Sequence, residues 1–196
     1  MNRIERWAIA LAAGIISLTT PCSVHSQAIR LSKTAIRPNL VCVLCSLTVT
    51  TSPSSVNFAL AQGGVSFGST SVAITTTMSG ITLFSSISLF GYFASASSAL
   101  SDSSATPNTI PSSAVWGLMP TGSPSIYKAF TQSGMLGTPG ATLLLFTTNS
   151  MSASGCVPII AVCRTDNLSL KIDLTNLPQL PAGTYTGALV LQAEVL

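Results

Sequence analysis

The chain has 196 residues, of which 47% are hydrophobic and only 7% are charged, and its formal net charge is +3. This length suits one domain with a substantial core, and the apolar content is too high for a disordered chain. The few basic residues form too thin a patch to predict nucleic-acid binding. Because charge is sparse, we expect a surface made largely of Ser and Thr hydroxyl groups.

Residues 1–28 have the features of a secretory signal peptide. Two arginines, Arg3 and Arg6, precede an uncharged apolar stretch from Trp7 to Leu18. This stretch is too short for a transmembrane helix, which needs about 20 apolar residues. We therefore expect the segment to be removed, leaving no membrane span, and the protein to be secreted into a periplasm or to a cell surface.

Two cleavage positions fit the preference of signal peptidases for small residues, one after Ser26 and one after Ala28. A lipoprotein would instead be modified at Cys22, but Pro21 directly before it is a poor match to the small residue expected there. Either cleavage removes His25, which is the only histidine of the chain.

The cysteines that follow the signal peptide are Cys42, Cys45, Cys156 and Cys163. An even number in an exported chain predicts two disulfides, and three connectivities are open. A bond between the early and the late pair would close the longer loop and stabilise the fold more in the chain-entropy model. A zinc site with four thiolates is the alternative, but the spacing of the late pair and the exported location disfavour it. We therefore expect no metal and no cofactor.

Residues 29–39 form a predicted N-terminal extension, and residues 40–196 form a single domain in which most segments alternate with a period of two. In chain order, strands are predicted over residues 40–51, 56–60, 70–77, 81–93, 113–118, 126–131, 141–148 and 167–174 and in the terminal segment. A short helix at residues 93–100 is the one helix candidate. About 8–10 strands at this spacing predict an all-β fold, an antiparallel Greek-key sandwich of the immunoglobulin-like type.

Alternation is most regular in NLSLKIDL, residues 167–174. Side chains on a strand point to opposite faces in turn, so one face of this segment is apolar and the other is polar. The apolar face carries Leu168, Leu170, Ile172 and Leu174.

Two short motifs match catalytic patterns, but the residues that would complete them are missing. GVSFG, residues 64–68, fits a nucleophile elbow with Ser66, which needs a histidine base. SIYK, residues 125–128, fits the S-x-x-K pattern without the S-D-N and K-T-G elements that accompany it. The dispersed acidic residues offer no pair for general acid–base chemistry. We therefore expect a non-catalytic protein without catalytic residues.

Two candidate ligand sites carry weaker signals. Asp102 lies in a loop rich in hydroxyl groups, but one carboxylate supplies too few anionic oxygens for a strong calcium site. Trp116 and Tyr127 could line a sugar-binding face, although a single Trp in a sandwich is more often part of the core.

The last predicted strand lies in LPAGTYTGALVLQAEVL, residues 180–196. A turn at Pro181–Gly183 followed by Tyr185 matches the tyrosine corner of Greek-key sandwiches, in which the Tyr hydroxyl bonds to a nearby backbone group. We expect the apolar face of the following strand to be buried. That face carries Tyr185, Gly187, Leu189, Leu191, Ala193 and Val195.

These features resemble the secreted immunoglobulin-like subunits of the chaperone-usher pilin and spore coat protein U group. The matching parts are the signal peptide, Cys42 with the alternating residues up to Thr50, the Asn-Phe element Val56–Phe58, and the ending PAGTYTG with its final strand. The resemblance implies a sandwich that lacks one strand, so that its terminal strand has an edge which a neighbour's N-terminal extension fills.

In this chain, the candidate donor strand is residues 27–39, with Ile29 and Leu31 as its apolar side. The resemblance implies a structural subunit of a surface fibre, coat or envelope layer that associates with itself or related subunits and with a periplasmic chaperone. The alternative is a self-contained secreted module that binds glycans or acts as an adhesin through loop tips or a flat hydroxyl-rich face.

Overall fold

The computed structural model describes residues 25–33, 46–79, 86–133, 139–148 and 161–195. Thirteen strands and one 3₁₀ turn, Ser112–Ala114, occur in these ranges. The strands are β1 (His25–Lys33), β2 (Ser46–Ser52), β3 (Ser55–Leu60), β4 (Val65–Phe67), β5 (Val72–Ser79), β6 (Ile87–Phe93), β7 (Leu100–Ser101), β8 (Thr109–Ile110), β9 (Val115–Leu118), β10 (Lys128–Ala129), β11 (Thr142–Thr148), β12 (Ala161–Asp173) and β13 (Thr186–Val195).

The strands form two sheets. The first has the order β11-β6-β13-β1-β3, with β7 attached to one end of β13 and β8 attached to β7. The second has the order β10-β9-β12-β5-β2, with β4 attached to β12. Neighbouring strands are antiparallel, with the exception of β1 and β13, which run parallel. Long β12 is the centre of the second sheet, and β13 is the centre of the first.

A continuous apolar core lies between the sheets. Leu168 and Leu170 of β12 contribute from one sheet, while Leu189 and Leu191 of β13 contribute from the other, and all four are buried. Each buried leucine side chain contributes about 1.5–3 kcal/mol relative to an exposed one. The predicted all-β sandwich is confirmed, and the alternation predicted for residues 167–174 places its leucines in this core.

The one helix candidate, residues 93–100, does not form a helix. Strand β6 ends at Phe93, and the chain then bends until β7 begins at Leu100. The Ala99 N–H donates to the Ile110 carbonyl at 2.9 Å and so ties the segment to β8. Short Ser side chains compete for backbone hydrogen bonds and favour such bends over a helix.

Strand number is higher than predicted because short segments complete the sheets. Strands β4, β7, β8 and β10 have only two or three residues each, and such lengths carry little periodic signal. Strand β12 also begins at Ala161, six positions before the predicted start. Residues 40–45 and 81–85 of two predicted strands lie outside the described residues. In the described ranges, no helix is long and apolar enough to cross a membrane.

Candidate functional site

Strand β1, the candidate donor, occupies an interior position in the first sheet. Its residues Ala28–Lys33 pair in parallel with Thr186–Leu191 of β13, and His25–Arg30 pair in antiparallel fashion with β3. The Leu31 N–H also donates to the carbonyl of Ser54 at 3.0 Å. Strand β1 therefore has hydrogen-bonded neighbours on both sides and joins two strands that would otherwise be separated.

The apolar side of β1 points into the core. Ile29 is fully buried, and Leu31 is half-buried and packs against the core, whereas Arg30 between them is exposed. Ile29 lies in register with Gly187 on β13 and with Val56 on β3. The strand thus closes the sandwich with apolar contacts as well as backbone hydrogen bonds.

The terminal strand has the predicted buried face and tyrosine corner. Tyr185, Leu189 and Leu191 are buried, and Val195 is the last residue of β13, where it pairs with Ile87. The Tyr185 hydroxyl donates to the Pro181 carbonyl at 3.1 Å. Burial raises the pKa of Tyr185, and the nearby charge of Asp102 raises it further. The hydroxyl is therefore held as a neutral donor.

The expected free edge of the terminal strand is absent along Thr186–Leu191. Strand β6 pairs with one side of β13, and β1 of the same chain covers the other side. A paired edge satisfies backbone groups that would otherwise invite another strand. In a single chain this edge is therefore covered by β1 of the same chain, whereas the resemblance implies an edge that a neighbour fills.

Strand β1 also begins earlier than the predicted extension, at His25, and it spans both candidate cleavage positions. Cleavage after Ser26 would leave every pair with β13 in place, whereas cleavage after Ala28 would remove the Ala28–Thr186 pair. The remaining residues of the predicted extension, 34–39, and residues 1–24 of the predicted signal peptide lie outside the described residues.

One of the four candidate disulfide cysteines is placed by the structure. Cys163 lies on β12, is half-buried and is disulfide-bonded. Cys42, Cys45 and Cys156 lie outside the described residues. The presence of two disulfides therefore stays a prediction, and all three connectivities stay open.

Ser66 of the GVSFG motif lies inside strand β4 and is buried. Its hydroxyl donates to the Ala59 carbonyl at 2.7 Å and accepts a hydrogen bond from the Ala61 N–H at 3.4 Å. The side chain therefore closes the turn between β3 and β4. In the second motif, Ser125 is exposed in a loop and Lys128 begins β10.

The candidate calcium ligand Asp102 closes its own loop. Its carboxylate accepts hydrogen bonds from the Ser104 hydroxyl at 2.7 Å and from the Asn108 amide side chain at 2.7 Å. These bonds lower the pKa of Asp102 to about 2. Among the described residues, no cluster of three or more His, Cys, Asp or Glu side chains is placed to hold a metal ion.

A row of three aromatic side chains and one lysine crosses the outer face of the second sheet. This aromatic row consists of Trp116, Lys171, Phe67 and Tyr127. Lys171 on β12 is in register with Trp116 on β9 and with Phe67 on β4. Its ammonium Nζ lies 4.6 Å from the Trp116 ring centre and 5.2 Å from that of Tyr127. Tyr127 also contacts Phe67 edge-to-face, with 6.0 Å between ring centres.

Sequence reasoning identified Trp116 and Tyr127 of this row but missed Phe67 and Lys171. Phe67 was hidden because β4 is only three residues long, and Lys171 because it looks like any polar residue on an alternating strand. These side chains lie close together because β9, β12 and β4 are neighbours in that order, and no local sequence pattern predicts this order.

No protein-family model matches this chain, and a search of curated proteins found no significant match. The geometry of β1 and of the aromatic row is therefore the guide to function.

Proposed function

We propose that this protein is an exported, non-catalytic structural subunit of a surface fibre, coat or envelope layer, and that copies assemble by exchanging strand β1. The observation that carries the proposal is the position of β1. It is the first strand in the described residues, and it fills an interior place between β13 and β3. A strand in that place is required by the fold, but it can come from the same chain or from another copy.

Exchange between copies has a low energetic cost because it re-forms the same contacts. Ile29 would enter the same buried place beside Gly187 and Val56, with the same backbone ladders on both sides. Swapping an identical element is a known route to oligomers, and a head-to-tail arrangement that does not close produces a filament. Addition of a strand uses backbone hydrogen bonds for affinity and alternate side chains for specificity.

Other features of the proposal have two sources. The resemblance to pilin and spore coat U subunits supports a Greek-key immunoglobulin-like topology. The sequence itself supports cleavage of a signal peptide and two disulfides among Cys42, Cys45, Cys156 and Cys163. A periplasmic chaperone would then occupy the place between β13 and β3, the β1 groove, in a chain whose own β1 is not yet paired.

A second candidate is supported by one specific observation. Because β1 pairs with β13 of its own chain, the isolated subunit is a complete sandwich. This arrangement suits a self-contained secreted binding module, in which β1 never leaves its own sheet.

A cross-linking experiment separates the two candidates. Arg30 and Ala188 are paired on neighbouring strands and both are exposed. Neighbouring strands lie about 4.8 Å apart, within the Cα separation that a disulfide tolerates. We would introduce Arg30→Cys and Ala188→Cys together into the mature protein and concentrate it under mild reduction that leaves the disulfide of Cys163 intact. We would then oxidise it and separate the products on a non-reducing gel.

Strand exchange predicts a ladder of covalent oligomers longer than dimers. Each single variant, Arg30→Cys or Ala188→Cys, is the matched control and can add at most one cross-link per chain. A product that stays monomeric at every concentration, with the new disulfide inside one chain, would contradict assembly by exchange and support the self-contained module.

A further inference from the structure

The aromatic row lies on a part of the surface that is unusually apolar. Phe67 is 62% exposed, Ile126 is 67% exposed and Val65 is 40% exposed, and these three are the large exposed hydrophobic residues of the described chain. Val65 and Phe67 share the outer face of β4, and Ile126 directly precedes Tyr127. An exposed apolar cluster of this kind marks an interaction surface.

Lys171 places a positive charge in the middle of this surface. Its ammonium lies against the Trp116 and Tyr127 rings and forms no ion pair among the described residues. The nearest acid along β12, Asp173, accepts hydrogen bonds from the Thr175 N–H at 3.1 Å and from the Thr175 hydroxyl. These bonds lower the pKa of Asp173, and the charge of Lys171 lowers it further without forming an ion pair. Lys128 follows Tyr127 and is exposed. The surface therefore combines aromatic rings with a cationic charge and is complementary to an anion.

The backbone of this region excludes one common way of binding a peptide. Strand β12 is paired with β9 on one side and with β4 on the other along Lys171 and Ile172. A peptide that adds a strand needs a free edge, and β12 has none at this point. A ligand that contacts Lys171 must instead lie across the side chains, over the two strand spacings of about 10 Å that separate Trp116 from Phe67.

We propose that the aromatic row binds an acidic polysaccharide. The apolar C–H face of a pyranose ring would stack on Phe67 and Tyr127, and a carboxylate on the sugar would pair with the Lys171 ammonium. Rings supply flat apolar area at low entropic cost, and a charge-assisted contact sets the preference for an acidic sugar. This site is distinct from the β1 groove and does not depend on strand exchange.

A binding measurement with two matched polymers tests the proposal. The probes are polygalacturonate and the same polymer with its carboxyl groups methyl-esterified, titrated calorimetrically into the mature protein. We expect binding to polygalacturonate, weaker binding to the ester, and a loss of affinity as salt is added, because the pairing with Lys171 is partly exposed.

Three variants locate the site. Lys171→Met keeps the aliphatic stem and removes the charge, and Phe67→Ala removes the most exposed ring; each should weaken binding to polygalacturonate by about tenfold. Thr50→Ala is the control, since Thr50 is exposed on β2 of the same sheet, away from the row. Thermal unfolding of all three checks that the fold is retained.

Three results would overturn the proposal. The first is that native protein binds neither polymer, and the second is that Lys171→Met and Phe67→Ala bind as well as native protein. The third is equally tight binding of polyglutamate, which would show that the row recognises negative charge without recognising a sugar.

Discussion

Ile29, near the start of the chain, lies in register with Gly187, near its end. Ile29 is fully buried, and the Gly187 backbone runs close to the carbonyl of Ala99. The parallel pair formed by these residues is where the first described strand joins the last one. The stability of the fold should therefore depend on both positions.

Replacing Ile29 with alanine should lower the free energy of unfolding by about 2–4 kcal/mol, because the substitution opens a cavity in the core. Urea unfolding followed by circular dichroism measures this loss. Arg30→Ala is the matched control on the exposed side of the same strand, and it should change stability by less than about 0.5 kcal/mol. Equal effects of the two variants would show that β1 does not pack as described.

Gly187→Ala should destabilise the protein because the added methyl group would collide with the Ala99 carbonyl oxygen. Backbone atoms cannot move aside as a flexible side chain can, so we expect a loss of about 1–3 kcal/mol in urea unfolding. Gly183→Ala is the control, since a methyl group there meets no atom within 4 Å. A variant at Gly187 that is as stable as the one at Gly183 would contradict the close approach.

Tyr185→Phe removes the hydroxyl that donates to Pro181 and leaves the ring in place. We expect a loss of about 0.5–1.5 kcal/mol, the usual net contribution of one hydrogen bond. Tyr127→Phe, at a half-exposed position, serves as the control and should leave the unfolding midpoint unchanged. If both midpoints are unchanged, the tyrosine corner does not stabilise the turn.

Glu194→Gln should stabilise the protein at neutral pH. Glu194 is buried, its Oε1 atom has no hydrogen-bond partner, and burial raises the pKa of its carboxyl group above the ordinary value of 4.5. The carboxyl group of Glu194 then ionises at a lower pH in the unfolded chain than in the folded chain. Its contribution to stability is therefore complete below pH 4.5 and is lost as pH rises through the folded pKa.

Unfolding curves across pH test this expectation. The glutamine variant should match the native protein near pH 4 and be more stable than it at pH 7, because glutamine has no carboxyl group to ionise in the buried position. A difference that is the same at both pH values would indicate that ionisation of Glu194 is not the cause.

Asp102 should make the protein less stable as pH falls, whereas Glu194 should make it less stable as pH rises. Hydrogen bonds from Asn108 and Ser104 hold the pKa of Asp102 at about 2, below the ordinary value of 3.8. This contribution is present above pH 3.8 and is lost as pH falls toward 2. Asn108→Ala should flatten the fall in melting temperature between pH 4 and pH 2, while Asn167→Ala, on the exposed face of β12, should leave the native profile unchanged.

Several features could be predicted from the sequence because they depend on neighbouring residues. Alternation in NLSLKIDL identified Leu168 and Leu170 as core residues, since the period of a strand is set by its own backbone. The spacing of Pro181 and Tyr185 likewise predicted a local hydroxyl contact that the structure contains. The same local reasoning failed for residues 93–100, where apolar residues among serines suggested a helix in place of a bend.

Tertiary structure alone decided which distant segments meet. The apolar character of Ile29 and Leu31 was visible in the sequence, but their pairing with β13 of the same chain was not, and this pairing removed the expected free edge. Lys171 became part of a site only because β9 and β4 lie on either side of it. Backbone hydrogen bonds between strands do not depend on the identity of the side chains. Local periodicity therefore reveals which side chains are buried, but it does not reveal which strands pair. Only packing of the whole chain selects the partner of each strand.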